Sequence, residues 1–285
     1  MSSHLIIQGS VPAPKLAELA TLSHARPAQP LQTNAWCLPH ANPDSQPEVA
    51  SWCAAHQLDY AFIPSQRKPS DFGLIAMDMD STLIAVECID EVGDMLGIKP
   101  QIAAITQASM RGDMEFAESL TRRVALLAGL DIHFLEQVYQ ERVRLNPGAE
   151  TLIERARALG IKTLLVSGGF TFFTDRLHER LTLDYSAANP LEIIDGKLTG
   201  RVLGKVLDAQ GKADWLLNIC QQNQLSPQQA VAIGDGANDL RMMEEAGVSI
   251  AFHAKPVVQR SASYAINHNG LDAVLPLLGD IPEIL

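Results

Sequence analysis

The stretch Phe72-Gly-Leu-Ile-Ala-Met-Asp-Met-Asp-Ser-Thr-Leu83 decides the fold that we predict for this chain. Its first six residues are almost continuously apolar and lead into Asp78, which is typical of a strand buried on both faces of a parallel sheet. Alternate residues that leave a strand can project to the same side, so Asp78 and Asp80 can both face one pocket. Two carboxylates at this spacing suit a nucleophile and a general acid or base, although a solvated pair at a strand end has the same pattern.

The residues after this strand predict a helical insertion, followed by alternating strands and helices. Cys88 to Arg144 has helical periodicity without a strand pattern, and Asn146-Pro-Gly148 closes this block. A hairpin with an Asp195-Gly196 turn is predicted further on. The predicted later strands are Lys162–Val166, one near Tyr185, Ala230–Ile233 and Val248–Ala251. This order predicts the α/β class, with a doubly wound parallel sheet and a helical cap inserted after the first strand.

The first 70 residues have a different pattern and predict a small N-terminal α/β module. Pro-rich and polar segments such as Arg26–Pro30 are interpreted as connections, and Ser65–Ser70 as a linker. We therefore predict a module at residues 1–70 and a core domain at residues 71–285, with the cap at about 86–146. The predicted elements of the module are strands at Leu5–Ile7, Trp36–Leu38 and Asp59–Ile63, and helices at Leu16–Leu22 and Val49–His56.

Composition and charge disfavour several classes of partner. The formal net charge of −11 over 285 residues argues against nucleic acid and anionic membranes, because both are themselves negative. No apolar stretch approaches the ~20 residues of a membrane helix, and the N-terminus lacks the features of a signal peptide. The four cysteines are far apart and form no CxxC pair, which favours reduced thiols. We therefore expect a cytoplasmic protein that acts on a small molecule.

Three polar segments follow predicted strands, and the ends of parallel strands are where such sheets bind ligands. They are Asp78–Leu83, Ser167-Gly-Gly-Phe170 and Gly234-Asp-Gly-Ala-Asn-Asp239. Asp235 and Asp239 beside Asp78 would repel one another unless a cation were present, and a hard dication with oxygen ligands describes Mg²⁺. The Ser167 hydroxyl and the Gly168 N–H can donate hydrogen bonds to phosphoryl oxygens. The three segments together predict a phosphate-handling magnesium site.

These motifs, in this order and with the helical insertion, resemble the haloacid dehalogenase superfamily, whose core is a Rossmann-like sheet. From roughly Asp71 onward the chain is most similar to the phosphoserine phosphatases. The matching residues include Glu87 after the first motif, the cap segment Phe116-Ala-Glu-Ser-Leu-Thr-Arg-Arg-Val124, and Lys212 in Gln-Gly-Lys-Ala-Asp. Met79 departs from the family pattern, where Phe is frequent.

The resemblance implies hydrolysis of O-phosphoserine to serine and phosphate, the last step of serine biosynthesis, through an aspartyl-phosphate intermediate. Asp78 would be the nucleophile, and Asp80 the general acid and then the general base. Mg²⁺ would be held by the Asp78 carboxylate, the Asp80 backbone carbonyl and Asp235. The implied substrate-binding residues are Ser167, Gly168, Lys212 and Asn238 for the phosphoryl group with support from Asp239, Glu87 for the ammonium, Arg123 for the carboxylate, and Met110 and Phe116 as a cover over the pocket.

Other interpretations stay open at this point. Arg123 follows Arg122 on a predicted helix, where charged pairs are usually solvated, and Glu87 at a helix start could simply favour the helix dipole. A related phosphatase or phosphotransferase could act on another small ester. A regulatory protein could sense an amino acid through residues 1–70, and the module could also form a homodimer.

Overall fold

The computed structural model describes residues 2–32 and 34–281. Its N-terminal part has a βαββαβ order, and the four strands form an antiparallel sheet in the order β2-β3-β1-β4. The elements are β1 Ser3–Gln8, α1 Ala13–Leu22, β2 Gln29–Gln32, β3 Ala35–Ala41, α2 Gln46–His56 and β4 Asp59–Pro64. Alternation in β1 buries both faces of this sheet, because Leu5 and Ile7 pack with the two helices whereas Ile6 packs with the main core.

The prediction that Arg26–Pro30 is only a connection was wrong at its end. Residues Gln29–Gln32 form an edge strand, in which Gln29 lies opposite Cys37 and Pro30 opposite Trp36. Proline is tolerated on an edge strand because its missing N–H need not pair with a neighbour. Because this strand is short and polar and contains Pro, its composition is that of a loop, which is why the sequence did not predict it.

The core sheet confirms the predicted doubly wound architecture. Six parallel strands have the order β12-β11-β10-β5-β6-β7, so the chain runs outward from β5 in one direction and then returns to β10 on its other side. The strands are β5 Leu74–Met77, β6 Lys162–Phe170, β7 Tyr185–Asn189, β8 Leu191–Ile194, β9 Lys197–Val202, β10 Ala230–Gly234, β11 Val248–Phe252 and β12 Tyr264–Ile266, of which β8 and β9 form the separate hairpin. The three motifs lie at the carboxyl ends of β5, β6 and β10, where the strand order reverses.

Four helices between β5 and the next core helix form the cap. They are α3 Cys88–Met95, α4 Lys99–Met110, α5 Phe116–Ala125 and α6 Ile132–Glu141. Ile84 and Leu145 pair where the chain enters and leaves this insertion. The hairpin extends the cap, because Gly129 and Ile132 donate backbone hydrogen bonds to Leu198 and Gly196. The remaining helices flank the core sheet and are α7 Ala149–Ala158, α8 Thr171–Leu181, α9 Ala209–Gln222, α10 Leu240–Glu245, α11 Pro256–Ser261 and α12 Val274–Leu277.

The N-terminal module is joined closely to the core. The buried Asp59 carboxylate accepts backbone hydrogen bonds from Asn267 at 2.7 Å, His268 at 3.0 Å and Asn269 at 3.1 Å. A cleft of about 720 Å³ lies at this junction, and none of the predicted site residues lines it. The division at residue 70 stays a prediction. Within the described ranges, no helix combines the length and apolar character that a bilayer crossing requires.

Candidate active site

Asp78 directly follows the central strand β5, and its carboxylate is held inside the protein. Its backbone N–H donates to Ile233 at 3.0 Å, so its position is fixed by the neighbouring strand β10. Its Oδ1 accepts the Met79 N–H at 2.7 Å, and the residue is only 4 % exposed. Three residues later the backbone of Ser81 adopts φ +57°, which turns the chain sharply away from the strand direction. The chain therefore leaves the strand direction directly after Asp80.

Lys212 supplies a buried positive charge beside Asp78. It lies in the first turn of α9, and its Nζ is 2.7 Å from both Asp78 Oδ1 and Asp239 Oδ1. The Lys212 side chain is 1 % exposed. Burial opposes its charge, but the two carboxylates outweigh burial and raise the pKa of Lys212. The pKa of Asp78 is raised well above its ordinary value by burial and by the charge of Asp239, which together outweigh Lys212.

Three carboxylates converge here as the sequence predicted. Asp78, Asp235 and Asp239 offer oxygens that all lie within 4.8 Å of one another. Burial, followed by the charges of Asp239 and Glu87, raises the pKa of Asp235 to about 6. The cluster therefore favours a bound cation, and its all-oxygen donor set fits Mg²⁺. Asp239 also accepts the Gly236 N–H at 3.1 Å, so it holds the turn in addition to pairing with Lys212.

Asp80 occupies a different place from the acidic cluster. Its Oδ1 accepts the N–H of Cys88, the first residue of α3, at 3.1 Å. A methyl group on Gly169 would lie 3.0 Å from both Asp80 Oδ2 and Ser167 Oγ, so both side chains come close to this backbone position and would have to shift for a larger residue. Burial and the charge of Glu87 raise the pKa of Asp80 to about 7 despite the Cys88 hydrogen bond. A carboxyl group with this pKa can donate and accept a proton near neutral pH.

The Ser167–Gly169 turn is supported by a residue that the sequence did not indicate. Asn189 is fully buried at the end of β7 and donates from Nδ2 to the carbonyls of Gly168 at 2.9 Å and Gly169 at 3.2 Å. Its Oδ1 accepts the Leu207 N–H at 2.7 Å. Asn189 therefore fixes the carbonyls of the turn, while the Gly169 N–H donates to Ser167 Oγ at 2.9 Å. The only sequence signal was a polar residue after an apolar strand.

Two predicted cap residues, Phe116 and Arg123, lie near the core site. Phe116 begins α5, and a methyl group on Gly168 would lie 2.8 Å from its ring, so the cap covers the second motif directly. Arg123 donates from Nε to the Ser119 carbonyl at 3.3 Å. Burial lowers the pKa of Arg123, while the charges of Asp90, Glu87 and Asp80 act in the opposite direction. The guanidinium thus lies in the field of the site acids.

The positions of the three remaining predicted residues give less support to the roles predicted for them. Glu87 is exposed at the start of α3, where its Oε1 accepts a hydrogen bond from Ser81 at 2.8 Å. Asn238 is half-buried in the turn after β10. Met110 ends α4 and is 63 % exposed, which is not the placement expected of a residue that shields a closed pocket. The roles of these residues stay predictions.

The fold and the site together define the class. The chain belongs to the haloacid dehalogenase-like hydrolases, whose family model matches residues 75–244. A phosphoserine phosphatase from Polaromonas sp. is 53 % identical over 216 residues, which cover 74 % of this chain and 92 % of that protein. The crystal structure of a probable phosphoserine phosphatase from Vibrio cholerae, in an unliganded form, is similar with a TM-score of 0.85 and 36 % identity over 98 % of this chain and 86 % of that one. A phospho-aspartyl intermediate analogue of phosphoserine phosphatase is similar with a TM-score of 0.68 and 38 % identity, over 72 % of this chain and 98 % of that one.

Proposed function

We propose that this protein is a phosphoserine phosphatase that hydrolyses O-phosphoserine to serine and phosphate, the last step of serine biosynthesis. The observation that carries the proposal is the buried pairing of Lys212 with Asp78, opposite an Asp80 whose pKa is raised to about 7. A buried nucleophile beside a cation, with a separate proton donor, is what transfer of a phosphoryl group to a carboxylate requires. Relatives that are 53 % and 52 % identical to this chain carry this name.

The reaction has two steps that use the same two aspartates. In the first, a carboxylate oxygen of Asp78 bonds to phosphorus as the bond from phosphorus to the serine oxygen breaks. Asp80 gives its proton to that oxygen, so an alcohol leaves instead of an alkoxide. In the second, Asp80 takes a proton from water, whose oxygen attacks phosphorus, and phosphate departs as the Asp78 carboxylate is restored. The similar structure of a phospho-aspartyl intermediate analogue of phosphoserine phosphatase supports this route.

Charge stabilisation in the site comes from Lys212 and from the proposed metal. Asp78, Asp235 and the Asp80 backbone carbonyl would hold Mg²⁺, which when bound neutralises charge on the phosphoryl oxygens. One positive charge about 4 Å from such an oxygen is worth roughly 4 kcal/mol at an effective dielectric near 20. Lys212 contributes on this scale because it is buried and kept protonated. Ser167 and the backbone of Gly168 would bind the remaining phosphoryl oxygens, with support from Asn238.

Substrate recognition is assigned to the cap. Arg123 would pair with the substrate carboxylate and Glu87 with its ammonium, while Phe116 excludes water above the Ser167–Gly169 turn. Met110 would join this cover only if the cap moves closer to the core. A homodimer and a cytoplasmic location stay predictions.

The decisive experiment measures phosphate release from O-phosphoserine against a panel of small phosphate esters, with Mg²⁺ and with a chelator. We expect phosphoserine to be preferred, chelation to remove activity and Mg²⁺ to restore it. Asp78→Asn should keep the fold and lose turnover, because an amide is a poor nucleophile for phosphorus. Preference for another ester would assign that ester, and not phosphoserine, as the substrate. Absence of release from every ester, together with serine binding by the full chain, would indicate a regulatory protein instead.

A further inference from the structure

Ser81 has an unusual backbone and a specific side-chain partner. Its φ of +57° lies in the left-handed region, which is unfavourable for a residue with a Cβ. Its Oγ donates to Glu87 Oε1 at 2.8 Å across the entrance of the cap. The strained turn therefore directs this hydroxyl toward the carboxylate that the proposed function assigns to ammonium recognition.

The surrounding backbone makes the Ser81–Glu87 contact part of a closed loop. The Ser81 N–H donates to Val86 at 3.3 Å, and the Cys88 N–H donates to Asp80 at 3.1 Å. The Asp80–Ser81 turn and the start of α3 are thus tied on both sides of Glu87. The Glu87 side chain is exposed, so without a partner it would occupy many rotamers, and ordering it on substrate binding would cost conformational entropy.

We propose that Ser81 is a positioning residue for substrate selection, whose hydroxyl holds one Glu87 oxygen so that the other can accept a hydrogen bond from the ammonium of the substrate. This inference rests on the proposed function, because it takes the Glu87 role from there. Ser81 contacts Glu87 and acts through it. Its effect should be confined to substrates that carry an ammonium group.

The test is a double-mutant cycle on two substrates. Wild type, Ser81→Ala, Glu87→Ala and the double variant are compared on phosphoserine and on 3-phosphooxypropionate, which keeps the phosphate and carboxylate but lacks the amine. Ser81→Ala should lower kcat/KM for phosphoserine by about three- to tenfold, mainly through KM, because a hydrogen bond to an exposed charged group is lost. The amine-free ester should be hydrolysed at the wild-type rate. In the Glu87→Ala background, removal of the hydroxyl should have no further effect.

Two controls separate recognition from folding. Ser81→Gly removes the hydroxyl but suits the left-handed backbone, so it should show the same substrate asymmetry with undiminished thermal stability. Thr121→Ala removes an exposed cap hydroxyl that donates a hydrogen bond within its own helix. This variant should leave kcat/KM unchanged for both substrates.

The possible outcomes are distinguishable. Equal losses on both substrates for Ser81→Ala, or full additivity in the double variant, would overturn the inference and make Ser81 a structural residue. If Glu87→Ala discriminates between the substrates and Ser81→Ala does not, the inference fails while the proposed recognition stands. If Glu87→Ala itself shows no discrimination, the proposed recognition fails and takes the inference with it.

Discussion

Replacing Lys212 with methionine tests the centre of the site. Its Nζ is 2.7 Å from one oxygen of Asp78 and one of Asp239, and all three side chains are nearly inaccessible to solvent. Each attraction at this distance is worth about 6 kcal/mol at an effective dielectric near 20, against a desolvation cost of several kcal/mol per ion. Methionine keeps most of the volume but leaves two buried carboxylates without their cation. We expect the free energy of unfolding to fall by about 3–5 kcal/mol.

The pH dependence of this loss has a defined sign. The charge of Lys212 is one of the effects that lower the pKa of Asp78, so its removal raises that pKa further. A carboxyl group whose pKa is higher in the folded state destabilises the protein increasingly as pH rises above its unfolded value of about 3.9. The Lys212→Met protein should therefore be closer to wild type at pH 5 than at pH 8.

The assay is urea unfolding followed by circular dichroism, in chelator and at both pH values. Lys162→Met is a matched control, because Lys162 also lies 2.7 Å from a carboxylate, that of Asp184, but at the surface. Exposed pairs are worth about 1 kcal/mol or less. A Lys212→Met protein that loses no more stability than Lys162→Met, or loses more at pH 5 than at pH 8, would refute the reasoning.

Three further predictions concern recognition, protonation and the second motif. Arg123→Ala should lower kcat/KM for phosphoserine by about 10²-fold or more, because one partner of a buried charge pair is removed. Hydrolysis of phosphoethanolamine, which has no carboxylate, should change little, and equal losses would assign Arg123 to cap integrity. Metal-free protein should lose several kcal/mol of stability between about pH 4 and 7, because the pKa values of Asp235 and Asp80 are raised to about 6 and about 7. Mg²⁺ should flatten that dependence in thermal melts, and a flat profile in chelator would contradict the assigned burial. Asn189→Ala should lower unfolding free energy by about 1–3 kcal/mol and reduce kcat, since two carbonyls and one N–H lose their partner; normal kcat in a destabilised variant would limit Asn189 to a structural role.

The sequence predicted those features that depend on local pattern. The β5 run is apolar because both of its faces are covered, and its end marks Asp78 directly. The convergence with Ser167 and Asp235 followed from a general property of parallel sheets, whose strand ends share one edge. Lys212 was assigned through the resemblance, since an isolated lysine at the start of a helix has no local signal.

The features that were missed depend on tertiary contacts. Asn189 forms hydrogen bonds with a turn about 20 residues earlier in the chain and with Leu207 later in the chain. Neither contact produces a periodic pattern in the sequence. Strand β12 has only three residues and was not predicted, because its hydrogen bonds to β11 identify it more clearly than its composition. The expectation for Met110 assumed a closed pocket, whereas the structure places its side chain in solvent.

The expected metal dependence and the expected pH dependence follow from one excess of negative charge. The cluster of Asp78, Asp235 and Asp239 contains three carboxylates, and Lys212 is the cation that pairs with two of them. When all are ionised the group has a net charge of about −2, which opposes an incoming phosphate dianion. That excess can be removed by protons, as the raised pKa of Asp235 indicates, or by a dication, which leaves the carboxylates free to act. Protons and Mg²⁺ should therefore compete for the same oxygens, so a protein that was stabilised by Mg²⁺ equally at pH 5 and at pH 8 would not have this charge arrangement.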